Sequence, residues 1–346
     1  MSDREIRAAA PLRISFVGGG TDFPHWYERH GGAVLSATID RFARVSLSPR
    51  SDARVRLRDL RLDQHAQYHL REGPTFDGVL DLPKAAVRRL GLDRGIDLEL
   101  RSDAPPGSGL GGSSAMVTAV VAALAAFGDI EISAHELAHL SYTIERNDLG
   151  IAGGWQDQYA AAFGGFNLIE FAASGVAVTS VRLSGGTIDA LRRHLLLCYT
   201  GGVRTNLGLI DTQIRLYREG REETIQGMKQ LQAMAYEMRD VLEAGDVGSL
   251  GPLLQEAYES KRRMNPHIAD GTAIDELLAR ARAAGATGGK ICGAGGGGYL
   301  LLSCPPEVRS RVRRQLEALG ARFSPFDFSE GGVEARTGSD RWTPRR

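Results

Sequence analysis

The sequence predicts a two-domain protein of mixed strands and helices, on three observations. First, 346 residues with 42% hydrophobic composition supply enough apolar material for two moderate cores. Second, short segments of alternating polarity are interleaved with helical patterns through both halves of the chain. Third, the composition shifts between residues 176 and 191, where short strands give way to long helical patterns, without an obvious flexible linker. The expected division is therefore residues 1–185 and 186–346, and no internal repeat or low-complexity tract interrupts it.

In chain order, PLRISFVGGGTDF alternates through Leu12, Ile14 and Phe16 as a strand does, then breaks at three glycines. ATIDRFARVSLSP and ARVRLRD read as further strands. A helix over 83–90 is stopped by Gly91, and DLELRSDA leads as a strand into the glycine-rich stretch SDAPPGSGLGGSSA at 102–115. The helix that follows is apolar on too wide a face for a surface element. Ser133 and Glu136 have the spacing of a capping box, so an amphipathic helix is expected over 135–148 with Glu145 near its end. GIAGGWQDQYAAAFGG is a loop entering a short helix, and FNLIEF and VAVTSVRL are strands. In the second half LLLCYTGG reads as a strand, and helical patterns cover 209–243, 250–263 and 272–284. GKICGAGGGGYLLLSC, PEVRSRVRRQLEALG and ARFSPFDF then give strand, helix, strand, and the basic end DRWTPRR is expected to be loose.

Charge and cysteine content narrow the class. The 42 basic and 42 acidic residues cancel, which argues against a general nucleic-acid or anionic-membrane surface. Cys198, Cys292 and Cys304 are odd in number and lack metal-ligand spacing, as reduced thiols in a cytoplasmic enzyme would. The start MSDREIRAAAPLRIS has no signal-peptide apolar core, and the longest apolar run, 116–127, is too short to span a bilayer. A soluble cytoplasmic protein is expected.

A glycine-rich loop that opens a helix exposes backbone N–H groups where the helix dipole favours negative charge, so it is a place for phosphate. Gly107, Gly109 and Gly112 satisfy G-x-G-x-x-G. The dinucleotide-binding reading, however, needs a second parallel strand with an acidic residue about 20 positions on. Here another amphipathic helix follows, and Pro105-Pro106 is foreign to that turn. A Walker A loop is absent, since the Gly289-Lys290 pair is preceded at the required spacing by Ala284. HELAH at 135–139 matches the zinc-peptidase pattern formally, but Glu136 is already engaged in the capping box and Tyr142 stands where the extended pattern needs glycine.

Phosphoryl transfer needs a cradle for the donor phosphates, a divalent cation with oxygen ligands, and a group to orient the attacking hydroxyl. The backbone of 107–114 offers the cradle. Ser114 offers a hydroxyl to Mg²⁺ or phosphate, Glu145 a carboxylate to the same ion, and Asp157, in a glycine-flanked turn, a partner for the acceptor hydroxyl. Taken singly, these are a helix cap, a solvated face and a helix start.

Three motifs in order, PLRISFVGGGTD, PPGSGLGGSSA and KICGAGGGGYLLL, resemble those of the GHMP small-molecule kinases, the family of galactokinase, homoserine kinase, mevalonate kinase and phosphomevalonate kinase. The resemblance implies two α+β domains, an N-terminal one like ribosomal protein S5 domain 2 and a ferredoxin-like C-terminal one, with the active site between them. It implies ATP and Mg²⁺, with ATP bound by Pro106, Gly107, Ser108, Gly109, Leu110, Gly111, Gly112, Ser113 and Ser114. The metal positions fall on Ser114 and Glu145, and the catalytic pair on Asp157 and Arg13. Substrate positions fall on Gly20, Thr21, Asp22, Asp157 and the third glycine motif, represented by Gly295 and Gly296.

Within the family, GGGTD replaces the Gly-Glu-His-Thr-Asp run of galactokinases. VGGGTDFP, ERNDLGIAGGWQDQYAAAFGGFN and YTGGVRTN are most similar to the D-glycero-D-manno-heptose 7-phosphate kinases, which phosphorylate the anomeric hydroxyl in making nucleotide-activated heptose for surface polysaccharide. Arg204 and Lys261 are the cations expected to meet a sugar phosphate. Fucokinase-type and other hexose 1-kinases, and a catalytically silent binder of sugar and ATP, are the alternatives. Small molecules are the expected partners, with a homodimer compatible.

Overall fold

The computed structural model describes residues 4–200 and 208–338, so Arg204 and the basic end lie outside the described residues. The first sheet is built around β1 (Ile6–Val17) and β2 (Gly32–Pro49), two long antiparallel strands; β1 and the first half of β2 are buried on both faces, whereas the second half of β2 alternates buried and half-buried. β2 is long enough to serve two neighbours. Its first half pairs with β6 (Phe166–Ala172) and its second with β5 (Ile96–Ser102). β5 runs parallel to β3 (Arg54–Asp59), which pairs with β4 (Gln64–His69), while β7 (Gly175–Ser180) extends the β6 branch. The register of β1 on β2 shifts between Ser15 and Val17, a bulge directly before the first glycine turn.

Helices cover this sheet. α1 (Pro24–His30) follows the glycine turn, and α2 (Asp81–Leu90), α4 (Ala134–Tyr142) and α5 (Gln156–Phe163) surround α3 (Gly112–Phe127). α3 buries thirteen of its sixteen residues because it lies between β1–β2 and the α2, α4 and α5 helices, which is why it carries no polar stripe. Its many alanines permit close approach. The capping box of Ser133 and Glu136 forms as expected at the start of α4. The helix expected over 135–148 does not stay regular, since Thr143–Asp148 is a π-helical turn. One extra residue per turn is invisible to apolar spacing, and such turns are frequent at functional sites.

The second sheet has the order β11-β8-β10-β9, from β8 (Leu195–Tyr199), β9 (Gly288–Ile291), β10 (Tyr299–Ser303) and β11 (Arg322–Ser324), all antiparallel. The expected single strand in GKICGAGGGGYLLLSC is thus two, with the glycines forming their turn. Behind α6 (Gly185–His194), the long pattern over 209–243 divides into α7 (Leu209–Arg218) and α8 (Glu222–Glu243), because Gly220 adopts φ +71° and ends the first. α9 (Val247–Met264), α10 (Ile274–Ala283) and α11 (Arg309–Glu317) complete this half.

Ile291, Leu300, Leu302, Val312 and Leu316 form a core of their own under the second sheet, whereas Met228, Leu231 and Met234 of α8 join the core of the first. The chain passes from first sheet to second between β7 and β8, where the composition shift falls. It then returns: β12 (Glu334–Thr337) pairs with β1, and Phe328 packs on Phe166 with ring centroids 4.6 Å apart. Residues 334–337 therefore belong to the first sheet although they fall in the expected second division.

Candidate active site

The glycine loop owes its shape to contacts across the two halves of the chain. Gly107, Gly109 and Gly111 all have positive φ, a region where a Cβ is costly. At Gly109 there is also no room: a Cβ would lie 2.4 Å from the Cys292 carbonyl oxygen. The third motif presses back, since a Cβ on Gly293 would lie 2.7 Å from Gly109 Cα and one on Gly298 would lie 2.5 Å from the Ser108 carbonyl oxygen. The amide of Tyr299 donates to that Ser108 oxygen at 3.0 Å. Two glycine motifs separated by most of the chain thus interlock backbone to backbone. Gly111, at φ +71°, precedes α3, and no side chain caps the helix. Gly111, Gly112, Ser113 and Ser114, at the start of α3, line a cavity of about 670 Å³.

Glu145 comes to this helix start on the π-helical turn and is only 1% exposed. Ser113 Oγ donates to its Oε1 and Ser114 Oγ to its Oε2, each at 2.7 Å. Gln158 Nε2 donates to the same Oε2 at 2.7 Å. A buried carboxylate requires such donors. A carboxylate and a serine hydroxyl at a helix N-terminus are hard oxygen donors of the kind Mg²⁺ takes, with phosphates and water supplying the rest of its shell. Among the described residues no group of three or more His, Cys, Asp and Glu is placed to hold a metal, so an ion here would depend on that shared shell.

Arg13 and Asp157 meet beside the same loop, next to Gly111. Arg13, on β1, is 4% exposed, and its Nε donates to Asp157 Oδ1 at 2.8 Å. Its Nη1 donates to the Gly109 carbonyl, so the guanidinium ties the acid to the glycine loop. Asp22 organises the turn that carries Asp157. Its Oδ1 accepts from the Gly20 amide at 3.0 Å, and its Oδ2 accepts from both the amide and Nε2 of Gln156 at 3.1 Å. Gly154 admits this approach, because a Cβ there would lie 2.0 Å from Asp22 Oδ2. Burial pushes the Asp22 carboxyl above its ordinary value, against the lowering effect of the Gly20 and Gln156 amides.

The cavity is lined by Arg13, Gly20, Asp22, Pro106, Gly107, Ser108, Gly109, Gly111, Gly112, Ser113, Ser114, Glu145, Asp157 and Lys261 of the sequence-predicted residues. Lys261 Nζ donates to the Gly293 carbonyl at 2.6 Å. Four others sit behind the wall. Thr21 is fully buried with its hydroxyl donating to the Gly18 and Ala33 carbonyls, so it fixes the turn. Leu110 is buried in the core. Gly295 and Gly296 pack against Ile268, Gly296 donating to its carbonyl at 2.8 Å. Arg204 lies outside the described residues.

Sequence reasoning missed Gln158 and Lys290. Lys290 lines the cavity from β9 at 4% exposure, and its Nζ donates to the Ser15 carbonyl at 2.6 Å. Burial, with Arg13 nearby, lowers its pKa to about 8. A lysine inside an otherwise small and apolar strand was the available signal. Glu136 stays in its capping box, and His135 and His139 pack on Phe163 and Trp155 instead of converging.

The sequence matches two family profiles, "GHMP kinases N terminal domain" over residues 80–165 and "GHMP kinases C terminal" over 238–322. It is 31% identical over 341 residues, 96% of this chain and 99% of the relative, to D-glycero-alpha-D-manno-heptose 7-phosphate kinase of Campylobacter jejuni subsp. jejuni serotype O:2. It is 26% identical to the bifunctional fucokinase/GDP-fucose pyrophosphorylase of Arabidopsis thaliana, over 91% of this chain and 31% of that one. The crystal structure of a D-glycero-D-manno-heptose 1-phosphate kinase from Bacteroides thetaiotaomicron superposes with a TM-score of 0.81 at 28% identity, covering 97% of this chain and 100% of that one. Galactokinase of Lactococcus lactis shares the fold, with a TM-score of 0.78 at 20% identity over 95% of each chain.

Proposed function

Given that the chain belongs to the GHMP kinases, we propose that it transfers the γ-phosphoryl group of ATP to the anomeric C1 hydroxyl of D-glycero-D-manno-heptose 7-phosphate, giving the 1,7-bisphosphate. The observation that carries the reading is the Arg13–Asp157 pair beside the glycine loop. A Cβ on Gly111 would lie 3.4 Å from both Arg13 Cγ and Asp157 Cγ, so backbone cradle, cation and acid share one small space.

In the proposed step the C1 oxygen attacks the γ-phosphorus, its proton passes to an Asp157 carboxylate oxygen, and the bond to the β-phosphate oxygen breaks to release ADP. A loose transition state asks little of a base, so aligning the hydroxyl and neutralising phosphate charge carry most of the rate. Arg13 holds Asp157 in place and adds positive charge to the site. The amides at the start of α3 receive the phosphates. Ser114 and Glu145 would hold Mg²⁺, whose chemistry when bound is to offset charge on the phosphates.

The heptose assignment draws on the Campylobacter relative, with Lys261 as the cavity cation for the substrate's own phosphate and Arg204 as a second from the TGGVRTN turn. The three buried free thiols fit a cytoplasmic setting, and among the described residues no helix is long and apolar enough to cross a membrane. A fucokinase-type hexose 1-kinase is the second reading, favoured by the Arabidopsis relative. ADP release measured across heptose 7-phosphate, fucose, mannose and galactose, with the phosphorylated carbon identified by NMR, separates the two. Binding of sugar and ATP without ADP release would make the chain a silent binder. Charge reversal at Lys261 should raise KM for heptose 7-phosphate far more than KM for ATP; equal effects would remove it from the sugar side.

A further inference from the structure

Arg146 follows Glu145 on the π-helical turn and lines the same cavity, with its side chain only 10% exposed. A buried guanidinium carries five N–H donors that need partners. Here they are poorly used. Nη1 reaches the Ile151 and Ala152 carbonyls at 3.3 and 3.4 Å, long for charge-assisted bonds, and Nε is buried without any partner. The ion pair with Glu145 Oε1 is also long, at 3.4 Å, and both carboxylate oxygens already accept from Ser113, Ser114 and Gln158 at 2.7 Å. Neutralising Glu145 therefore does not account for the arginine's position.

The chain makes room for it nonetheless. A Cβ on Gly153 would lie 2.2 Å from Arg146 Cζ, so glycine at that position lets the guanidinium lie flat against the turn. That turn continues through Gly154, at the Asp22 carboxylate, to Asp157. The guanidinium thus stands between the carboxylate at the head of α3 and the turn bearing the Arg13-paired acid, with under-used donors on the cavity side of the π-helical turn. An anion with several acceptor oxygens fits this place, and a planar fork suits phosphate.

We propose that Arg146 is a second phosphate-binding cation, contacting the terminal phosphate of the nucleotide from the Glu145 side while Arg13 stands on the Asp157 side. The inference rests on the kinase reading above. It concerns the γ-phosphate specifically, because the residue next to it in the chain is bonded to Ser113 and Ser114 at the helix start that cradles the phosphate tail.

The test is calorimetric binding of ATP and of ADP in EDTA, with no sugar and no turnover, for the wild type, Arg146→Gln and Arg146→Lys. The wild type is expected to prefer ATP, and Arg146→Gln to lower that ATP-over-ADP preference roughly 10- to 100-fold, mostly by weakening ATP. Arg146→Lys keeps the charge without the fork and should fall between them. A purely structural arginine would lower the unfolding temperature but leave the ATP-to-ADP ratio alone. That ratio unchanged in a folded Arg146→Gln overturns the inference; should the glutamine variant not fold, an unchanged ratio in Arg146→Lys does so. A wild type that binds neither nucleotide, even with Mg²⁺ restored, overturns the kinase reading itself.

Discussion

Arg13 and Asp157, 144 residues apart in the chain, are joined by a 2.8 Å hydrogen bond from Arg13 Nε to Asp157 Oδ1. The same guanidinium holds the Gly109 carbonyl, so the two residues are not equivalent. Asp157 is 20% exposed in its side chain and can be altered without emptying the core, whereas Arg13 is 4% exposed and links three segments. Asp157→Asn should keep the fold and lower kcat by roughly 10²–10⁴, the range for losing the group that both aligns the attacking hydroxyl and takes its proton. Arg13→Met should lower both activity and stability, since it leaves a carboxylate and a carbonyl without their donor. ADP release and thermal unfolding on the same samples check both, and near-wild-type turnover by Asp157→Asn would remove that residue from the mechanism.

Glu145 and Ser114 give a different signature. Their proposed role concerns the metal, so the loss belongs in the Mg²⁺ titration. Glu145→Gln should raise the Mg²⁺ needed for half-maximal activity by roughly 10–100-fold, and Ser114→Ala by less, because a hydroxyl carries no charge. In EDTA, ATP should bind Glu145→Gln no more weakly than wild type, since a negative charge has been taken from beside the phosphates. Unaltered Mg²⁺ dependence in Glu145→Gln would detach the carboxylate from the ion.

The interlock of the glycine motifs makes a stability prediction with an internal control. Gly73 and Gly109 both have positive φ, +73° and +80°, but a Cβ on Gly73 meets nothing within 4 Å. Gly73→Ala should therefore cost only the conformational term, about 1–2 kcal/mol. Gly109→Ala adds a collision with the Cys292 carbonyl at 2.4 Å and should exceed about 3 kcal/mol. Chemical denaturation of the two variants gives the difference, and equal values would show that the loops can part.

The residues proposed to carry the chemistry were legible because they sit within motifs. The phosphate loop, Ser114, Glu145 and Asp157 needed only local sequence to be singled out. Two of their partners were not, because Gln158 and Lys290 acquire meaning only once the inward face of each element and the neighbour across the cleft are known. Elements that local rules could not find share a cause as well. β4, QHAQYH, offers only Ala66 and Tyr68 to the core and is held by pairing with β3; β12 is only four residues, fixed by register on β1. α1 is a seven-residue helix anchored by the fully buried Trp26, whose Nε1 donates to Gln232 of α8 at 3.1 Å. Tertiary contact, not propensity, makes all three.

That same helix carries a pH response. His25 lies against Phe23 and Tyr217, with a buried Nε2 that has no partner. Burial, and then the Arg218 charge, lower its pKa from 6.5 to about 4. The unfolded imidazole accepts a proton near pH 6.5 that the folded one refuses until about pH 4, so the unfolded state binds more protons across that window. Stability should therefore fall as the pH drops from 6.5 towards 4, on top of any contribution from the carboxylates. His25→Phe fills the same aromatic contact without a titrating group. Its unfolding temperature should decline less steeply over this range than the wild type's, while the two proteins keep a constant difference above pH 7. Parallel curves down to pH 4 would show that His25 is protonated without cost in the folded chain.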